Sequence, residues 1–399
     1  MSQKKKRLLI LTPRFPYPVV GGDRLRIFQV SKALSQRFSL TLLSLCDTRS
    51  ELNMSLPIDG VFDRVERVYL PRPRSYFNTL SALVNNTPFQ IAYYRSAAFA
   101  QAVDRLLPEH DGVLSHLIRC AEYVKNTSKP KILEMTDAIS LNYERVRKLK
   151  NVGGFKGYVY RHEATRLLAY EKLIINTFDL SVLVSETDKD YLVGRRHHDR
   201  VLVCSNGVEL DHLFFKERSD SKPVIVYIGN MISMQNMDAC LYFAKHVMPL
   251  LIKRINATFR VVGRISDSDA SKLRSFANVE VTGPVDDVCA AVADARIGVC
   301  PVRLAAGVQN KVLEYMALGL PVVTSSIGLE GLDAKPERDL LVADSEEGYV
   351  IAINRIWQDT SLRSKLAING RSYVENHHKW DSRLAPLVKR VAVLLAEDI

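Results

Sequence analysis

The chain has 399 residues, 47% of them hydrophobic and 25% charged, and a formal net charge of +11 at pH 7. That length and apolar content support two domains, each with its own core. No run approaches the roughly 18 uncharged apolar residues that a membrane span needs, so the sequence predicts no membrane-spanning helix. The charge is uneven: residues 1–150 hold 24 Lys and Arg against 13 Asp and Glu, and the remainder holds 31 of each. The first domain therefore carries the whole excess, which points to an anionic partner such as a membrane surface or a phosphorylated substrate. Nucleic acid is disfavoured, because the chain has no zinc-finger spacing, RNA-binding signature or Arg-rich arm. Six cysteines lie far apart with no C-x-x-C pair and read as free, buried thiols of a reducing cytoplasm.

At the start, "MSQKKKRLLILTPRF" has too short an apolar run for a leader and reads as a basic tail feeding a buried strand. "RLLILT" is then a strand, "GGDRLRIFQVSKALSQRF" a helix with Ile27, Val30 and Leu34 on one face, and "SLTLLSLC" a second strand. Further strands are predicted at "RVERVYL", "DGVLSHL", "PKILEMTD", "DLSVLVSE" and "RVLVCSNGV". The polar stretch "LFFKERSDSKP" interrupts and is taken as a linker. The alternation restarts with "PVIVYIG", a helix through "MDACLYFAKHVMPLLIKR", "ATFRVVG", a helix near "SDASKLRSF" and "VEVTG". It ends in a helix at "VDDVCAAVADA", strand "IGVCPV", helix "NKVLEYMALG" and strand "PVVTSS". The expected fold is α/β, with two parallel sheets whose carboxyl ends bind ligands. The domains are placed at 1–212 and 223–378, with a linker at 213–222 and a terminal helix at 379–399.

Two loops carry chemistry. In "TPRFPYPVVGGDRLR", Gly21 and Gly22 permit close backbone approach, and the following helix start offers amides to an anion beside Arg14, Arg24 and Arg26. The spacing is not that of the dinucleotide fingerprint, and a glycine turn needed only for geometry is an equal reading. In "GVQNKVLEYMALGLPVVTSS", Val308, Val312, Leu313, Met316 and Ala317 form a buried face, and Gly319 caps the helix. Lys311 and Glu314 fall near the helix start, where the amides of Gly307 and Val308 would also be presented. An ammonium, amides and a carboxylate suit a diphosphate with an attached ribose, whereas a surface ion pair is the plainer alternative.

"NKVLEYMALGLPVVTSSIGLEGL" resembles the donor-site motif of retaining GT-B-fold glycosyltransferases of the large glycogen-synthase-like family. It is most similar to the bacterial exopolysaccharide-biosynthesis branch, and "PRFPYPVVGGDRLRIF", "RHEATRLLAYE", "VSETD", "CSNGVELD", "VVGR" and "VTGPVDDV" extend the likeness along the chain. The resemblance implies two Rossmann-like domains facing a cleft, with the terminal helix crossing back to the first. It implies transfer of a hexose from a nucleotide-diphosphate sugar to a saccharide or lipid-linked saccharide acceptor, with the anomeric configuration retained and no metal or other cofactor. Glu314 then matches the ribose-binding glutamate, and Gly307 and Val308 the amides at the diphosphate or sugar. Lys311 and Arg303 are basic positions of the branch, Glu330 lines the donor pocket, and Arg264 and the "TGPV" loop hold the base. Gly21 and Gly22 approach the donor phosphates; Arg14, Arg24 and the strand-end Asp137 are placed on the acceptor side. His116, at the end of "GVLSH", falls where the family has a histidine that touches the donor sugar and assists transfer; a core histidine is the equal alternative.

The departures are specific. Ala306 stands where the first motif glutamate is expected, and Asn230 and Gln235 where the broad family has an Arg and Lys pair, so Arg303 and Lys311 are the expected substitutes. Two D-x-D matches, Asp188–Asp190 and Asp267–Asp269, read as helix starts with Asp as N-cap rather than as metal ligands. The pairs His197–His198 and His377–His378 read as solvated histidines. The segment "NYERVRKLKNVGGFKGYVYR" mixes Arg145, Arg147, Lys148, Lys150 and Lys156 with aromatics, which suits an anionic membrane interface or a solvated helix. The resulting expectation is a cytoplasmic enzyme, peripheral on the inner face of the plasma membrane. Its rivals are a nucleotide-sugar 2-epimerase and a non-catalytic sugar-nucleotide-binding subunit.

Overall fold

The computed structural model describes residues 5–83, 86–148, 154–195, 198–217 and 223–396. The chain forms two compact units, Met1–Ser205 with Leu384–Ile399, and Asn206–Arg383. The first holds strands β1 (Arg7–Thr12), β2 (Ser39–Cys46), β3 (Arg64–Tyr69), β4 (Gly112–His116), β5 (Lys131–Thr136), β6 (Leu180–Leu183) and β7 (Val201–Val203). They form one parallel sheet in the order β3-β2-β1-β4-β5-β6-β7. The second unit holds β8 (Val224–Ile228), β9 (Thr258–Val262), β10 (Val279–Gly283), β11 (Ile297–Cys300), β12 (Val322–Thr324) and β13 (Leu341–Val342). These are also parallel, in the order β10-β9-β8-β11-β12-β13. Helices cover both faces, so the strands read as continuous apolar runs. Leu8–Leu11 are fully buried, as are Ile27, Val30 and Leu34 of the helix Gly22–Ser35.

In each sheet the order of connection reverses once, between β1 and β4 and between β8 and β11. In open parallel sheets ligands bind beyond the carboxyl ends of strands at such points. The Gly21 loop and His116 follow the first pair, and the loops at 229–233 and 301–309 follow the second. One side chain joins that second pair. The Tyr315 hydroxyl accepts from Ile228 N at 2.8 Å and donates to Val299 O at 3.3 Å. This bridge fixes the helix Asn310–Ala317 under β8 and β11. It requires Gly298, because a Cβ there would lie 2.5 Å from the Tyr315 ring. Gly319, at φ 72°, ends that helix as the sequence predicts.

Two expected elements differ. The helix at "VDDVCAAVADA" is only Val288–Ala291, and Asp287 caps it by accepting from Ala290 N at 3.1 Å. His378 is not a solvated histidine but is fully buried. Its Nδ1 donates to Asn206 O at 2.8 Å, and its Nε2 accepts from the Tyr373 hydroxyl at 3.0 Å. That hydroxyl in turn accepts from Asp333 N, so the ring is held neutral. His377 is exposed, and His197 lies outside the described residues.

Two outcomes follow from this packing. Gly298→Ala is expected to destabilise by about 1–3 kcal/mol through overpacking against Tyr315, read as a lower urea midpoint at unchanged slope. Burial depresses the His378 pKa to about 4. The unfolded imidazole takes up its proton near pH 6.5, before the folded one does, so its contribution is complete above that pH and disappears as pH falls toward 4. Wild type should therefore lose up to ~3 kcal/mol relative to His378→Gln across that window, measured by urea titrations at several pH values.

Candidate functional site

In the first unit, Gly21 adopts φ 99° and precedes the helix Gly22–Ser35, whose first turn has no side-chain cap. The three arginines around it are not free charges. Arg14 pairs with Asp23 at 3.1 Å and donates to the Tyr94 hydroxyl, and Arg24 pairs with Glu51 at 2.6 Å. Arg26 is fully buried with its Nε 3.0 Å from Glu134 Oε1, and it also donates to Ser205 O. Each was expected to present its charge to an anion; the fold instead supplies each with an acceptor.

Glu134 is the residue that the sequence reading misses. It pairs in register with His116 across β4 and β5, so the two side chains share a face. His116 Nδ1 lies 2.7 Å from Glu134 Oε2, which also accepts from the Thr136 hydroxyl at 3.1 Å. Burial alone would raise the Glu134 pKa, but the Arg26 guanidinium and His116 outweigh it and hold the carboxyl at about 2. With Nδ1 donating to that carboxylate, His116 is left with Nε2 for any other partner. The available signal was a single glutamate inside the apolar strand "KILEMT".

Asp137 sits one residue beyond β5, half-buried. Desolvation and then the neighbouring Asp188 carboxylate lift its pKa to about 7. Asp188 itself accepts from Ala138 N at 3.0 Å and from the Ser185 hydroxyl. The two D-x-D stretches are thus helix starts, but with a correction. Ser185 and Ser266 are the N-caps, accepting from Asp188 N and Asp269 N, and each donates its hydroxyl to the carboxylate of that aspartate. The glutamates of "RHEATRLLAYE" also hold helix ends. Glu171 accepts from Ile139 N at 2.8 Å and Ser140 N at 3.2 Å, and Glu163 accepts from Gln90 N. Burial raises the Glu171 pKa to about 8.

In the second unit the backbone crowds together at the strand ends. A Cβ on Gly263, at φ 128°, would fall 2.0 Å from Gly229 O, so β8 and β9 can end this close only with glycine. Arg264 follows, exposed, its carbonyl accepting from Met231 N. Asn230 and Gln235 are tied into their own turn through Ile232 N and the Ser233 hydroxyl. Arg303 is engaged: both its Nε and Nη2 meet Asp238, at 3.1 and 2.6 Å, and its guanidinium stacks 4.6 Å over Tyr242.

The helix carrying Lys311 and Glu314 begins at Asn310, so Gly307, at φ 67°, and Val308 precede its cap rather than form its first turn. The cap residue Gln309 makes no side-chain cap; its amide reaches back to Ala306 O and its Oε1 accepts from Lys311 Nζ at 3.0 Å. Lys311 also lies 5.5 Å over the Tyr227 ring. Among the described residues no ion pair joins it to Glu314, and the Glu314 carboxylate has no hydrogen-bond partner. Burial raises the Glu314 pKa, against the pull of Lys311. An open helix start, a nearby ammonium and a carboxylate one turn along are the groups with which a phosphorylated, hydroxyl-bearing ligand could be held. Ala306 adds no polar side chain to it, and Glu330 ends the short helix Ser326–Leu329 after β12.

Residues 222–359 match the model of the family "Glycosyl transferases group 1". The second unit carries a group 1 glycosyltransferase domain. Over 398 residues the chain is 21% identical to an uncharacterized 44.6 kDa protein in the cps region of Klebsiella pneumoniae, covering 93% of this chain and 96% of that one. Its structure is similar to sucrose-phosphate synthase from Thermosynechococcus elongatus, with TM-score 0.75, 16% identity, and 98% and 100% of the two chains covered. It is also similar to Anabaena HepE in complex with UDP-glucose, with TM-score 0.67, 13% identity, and 97% and 99% covered. The two parallel-sheet units are therefore those of the GT-B fold. In this glycosyltransferase framework Glu314 and Lys311 lie inside the matched domain, whereas His116 and Glu134 lie outside it.

The buried ion pair yields a test that separates folding from site chemistry. Glu134→Leu leaves the Arg26 guanidinium buried without a counter-charge and should cost ~3–5 kcal/mol, whereas Arg26→Met with Glu134→Leu should recover most of that loss. In both, the His116 ring nitrogens should lose the wild-type pattern of a protonated Nδ1 and a free Nε2, read by nitrogen NMR.

Proposed function

We propose that this protein is a retaining hexosyltransferase. It moves a sugar from a nucleotide diphosphate to a saccharide acceptor, lipid-linked, in cell-surface or exopolysaccharide synthesis. The observation that carries the reading is Glu314: a half-buried carboxylate with no hydrogen-bond partner among the described residues, one turn past an uncapped helix start, within a group 1 glycosyltransferase domain. In this reading Glu314 accepts the ribose hydroxyl protons. The first-turn amides, Gly307, Val308 and Lys311 face the diphosphate, Arg264 lies by the base, and Glu330 lines the donor pocket. Gly21 and Gly22 are assigned to the donor phosphates in the same reading. Preorganised positive groups stabilise the charge that develops on the leaving diphosphate, so no protein nucleophile and no metal are required. Arg303 takes part only by leaving Asp238.

On the acceptor side we assign Arg14, Arg24 and Asp137, with His116 Nε2 assisting at the sugar. A carboxyl poised at about 7, such as Asp137, can exchange a proton with an attacking hydroxyl at neutral pH. The relative from a capsule region and the neighbour bound to UDP-glucose support a sugar nucleotide and a polysaccharide product. No described helix is long and apolar enough to cross a membrane, and a peripheral, cytoplasmic-side enzyme fits a lipid-linked acceptor.

A thermal-shift and product assay over UDP, GDP, ADP and dTDP sugars, with and without EDTA, tests this. Released nucleotide with an acceptor present, unaffected by EDTA, is expected. An isomerised donor would instead indicate an epimerase, and binding without turnover a binding subunit, to which Ala306 lends weight. Glu314→Ala should weaken donor binding by about 10- to 100-fold, the loss of a charge-assisted hydrogen bond. Unchanged donor affinity would sink the assignment.

A further inference from the structure

The helix Arg72–Ser81 turns its apolar side chains away from the protein. Of its ten residues only Ser75 is buried, while Tyr76, Phe77 and Leu80, and Leu83 just beyond, are each 61–63% exposed. Their spacing sets them along one side of the helix. The helix rests on the helix Phe89–Tyr93 and its flank: Ser75 is buried, Asn78 donates to Arg95 O, and Tyr76, at the edge of the exposed row, meets Tyr93 edge-on at 5.6 Å. The charge on this stretch of chain is basic, with Asp47 brought in from elsewhere against Arg72. Between Glu66 and Asp104 the sequence has no acidic residue but contains Arg67, Arg72, Arg74 and Arg95. Arg67 turns inward, to the carbonyls of Glu51 and Met54. Arg74 stays beside the apolar row, 5.7 Å from the Phe77 ring. Arg72 is exposed although paired with Asp47, and Arg95 lies against Thr87.

We propose that this helix is an interfacial anchor that lies in the headgroup layer of an anionic bilayer. Phe77, Leu80 and Leu83 enter the acyl boundary, Tyr76 stays at its edge, and Arg72, Arg74 and Arg95 meet lipid phosphates. The charge pattern selects this occupant. Two copies of the chain meeting through this face would bring Arg74 and Arg95 of each together, with Asp47 already engaged by Arg72. A nucleic acid would leave the apolar row unused. In the surface expected from the sequence, the Tyr143 hydroxyl accepts from Gln90 Nε2 at 3.0 Å. The side chains of Lys148, Phe155, Lys156, Tyr158 and Tyr160, and all of Lys150, lie outside the described residues. The anchor stands on exposure and charge rather than on turnover, so it can fail while the transferase reading holds, and the reverse.

Co-sedimentation of the full chain tests it, using vesicles of phosphatidylcholine alone or with phosphatidylglycerol. Wild type should bind the phosphatidylglycerol vesicles and release at high salt. Phe77→Ser with Leu80→Ser changes only exposed side chains. It should unfold at the wild-type temperature yet bind about tenfold or more weakly. Arg74→Gln should lose roughly fivefold, on anionic vesicles only. Arg145→Gln with Arg147→Gln should bind as wild type. Three results would overturn the proposal: no binding by wild type, undiminished binding by the Phe77 and Leu80 variant, or loss only in the Arg145 and Arg147 variant. Self-association that the Phe77 and Leu80 changes abolish, without vesicle binding, would assign the face to a second copy instead.

Discussion

A parallel sheet covered by helices on both faces admits a charged side chain away from its strand ends only with a partner. Glu134, inside β5, has one in Arg26, and the strand ends are left as the places where chemistry can occur. β1 and β4, and likewise β8 and β11, part in opposite directions of connection. The loops after them collect the glycines, the charged residues and the uncapped helix starts. The Tyr315 bridge from Ile228 to Val299 converts that topology into a position for Glu314.

The two ends treat charge differently. In the first unit every arginine near the glycine loop has a carboxylate, and one pair, Arg26 with Glu134, is entirely buried. Such a pair gains little stability over apolar residues of the same volume. Its use is to hold His116 by one nitrogen in a fixed orientation. In the second unit, among the described residues, the carboxylate of Glu314 has no hydrogen-bond partner, and Lys311 meets Gln309 and an aromatic face. Preorganisation dominates the first unit, and unsatisfied capacity the second.

Much of the architecture was legible because apolar runs and glycine positions answer to local rules. Ile27, Val30 and Leu34 are buried as their spacing requires, and so are Val312, Leu313 and Met316. Gly319 ends its helix in the left-handed region. What escaped were contacts between residues far apart in sequence. His378 looked solvated because its neighbours are charged, yet Asn206 and Tyr373 enclose it. The helix Arg72–Ser81 was invisible to periodicity, because its apolar residues do not face a core.

The sequence by itself determined the α/β alternation, the parallel sheets and the buried apolar face of the helix that carries Glu314, since each depends on residue type at short spacing. Tertiary structure alone decided which charges are free. Whether Arg303 faces a ligand or Asp238, and whether His116 meets Glu134, depends on partners 65 and 18 residues away. Ion pairing follows distance in space, and that distance is set only when the strands have taken their order in the sheet.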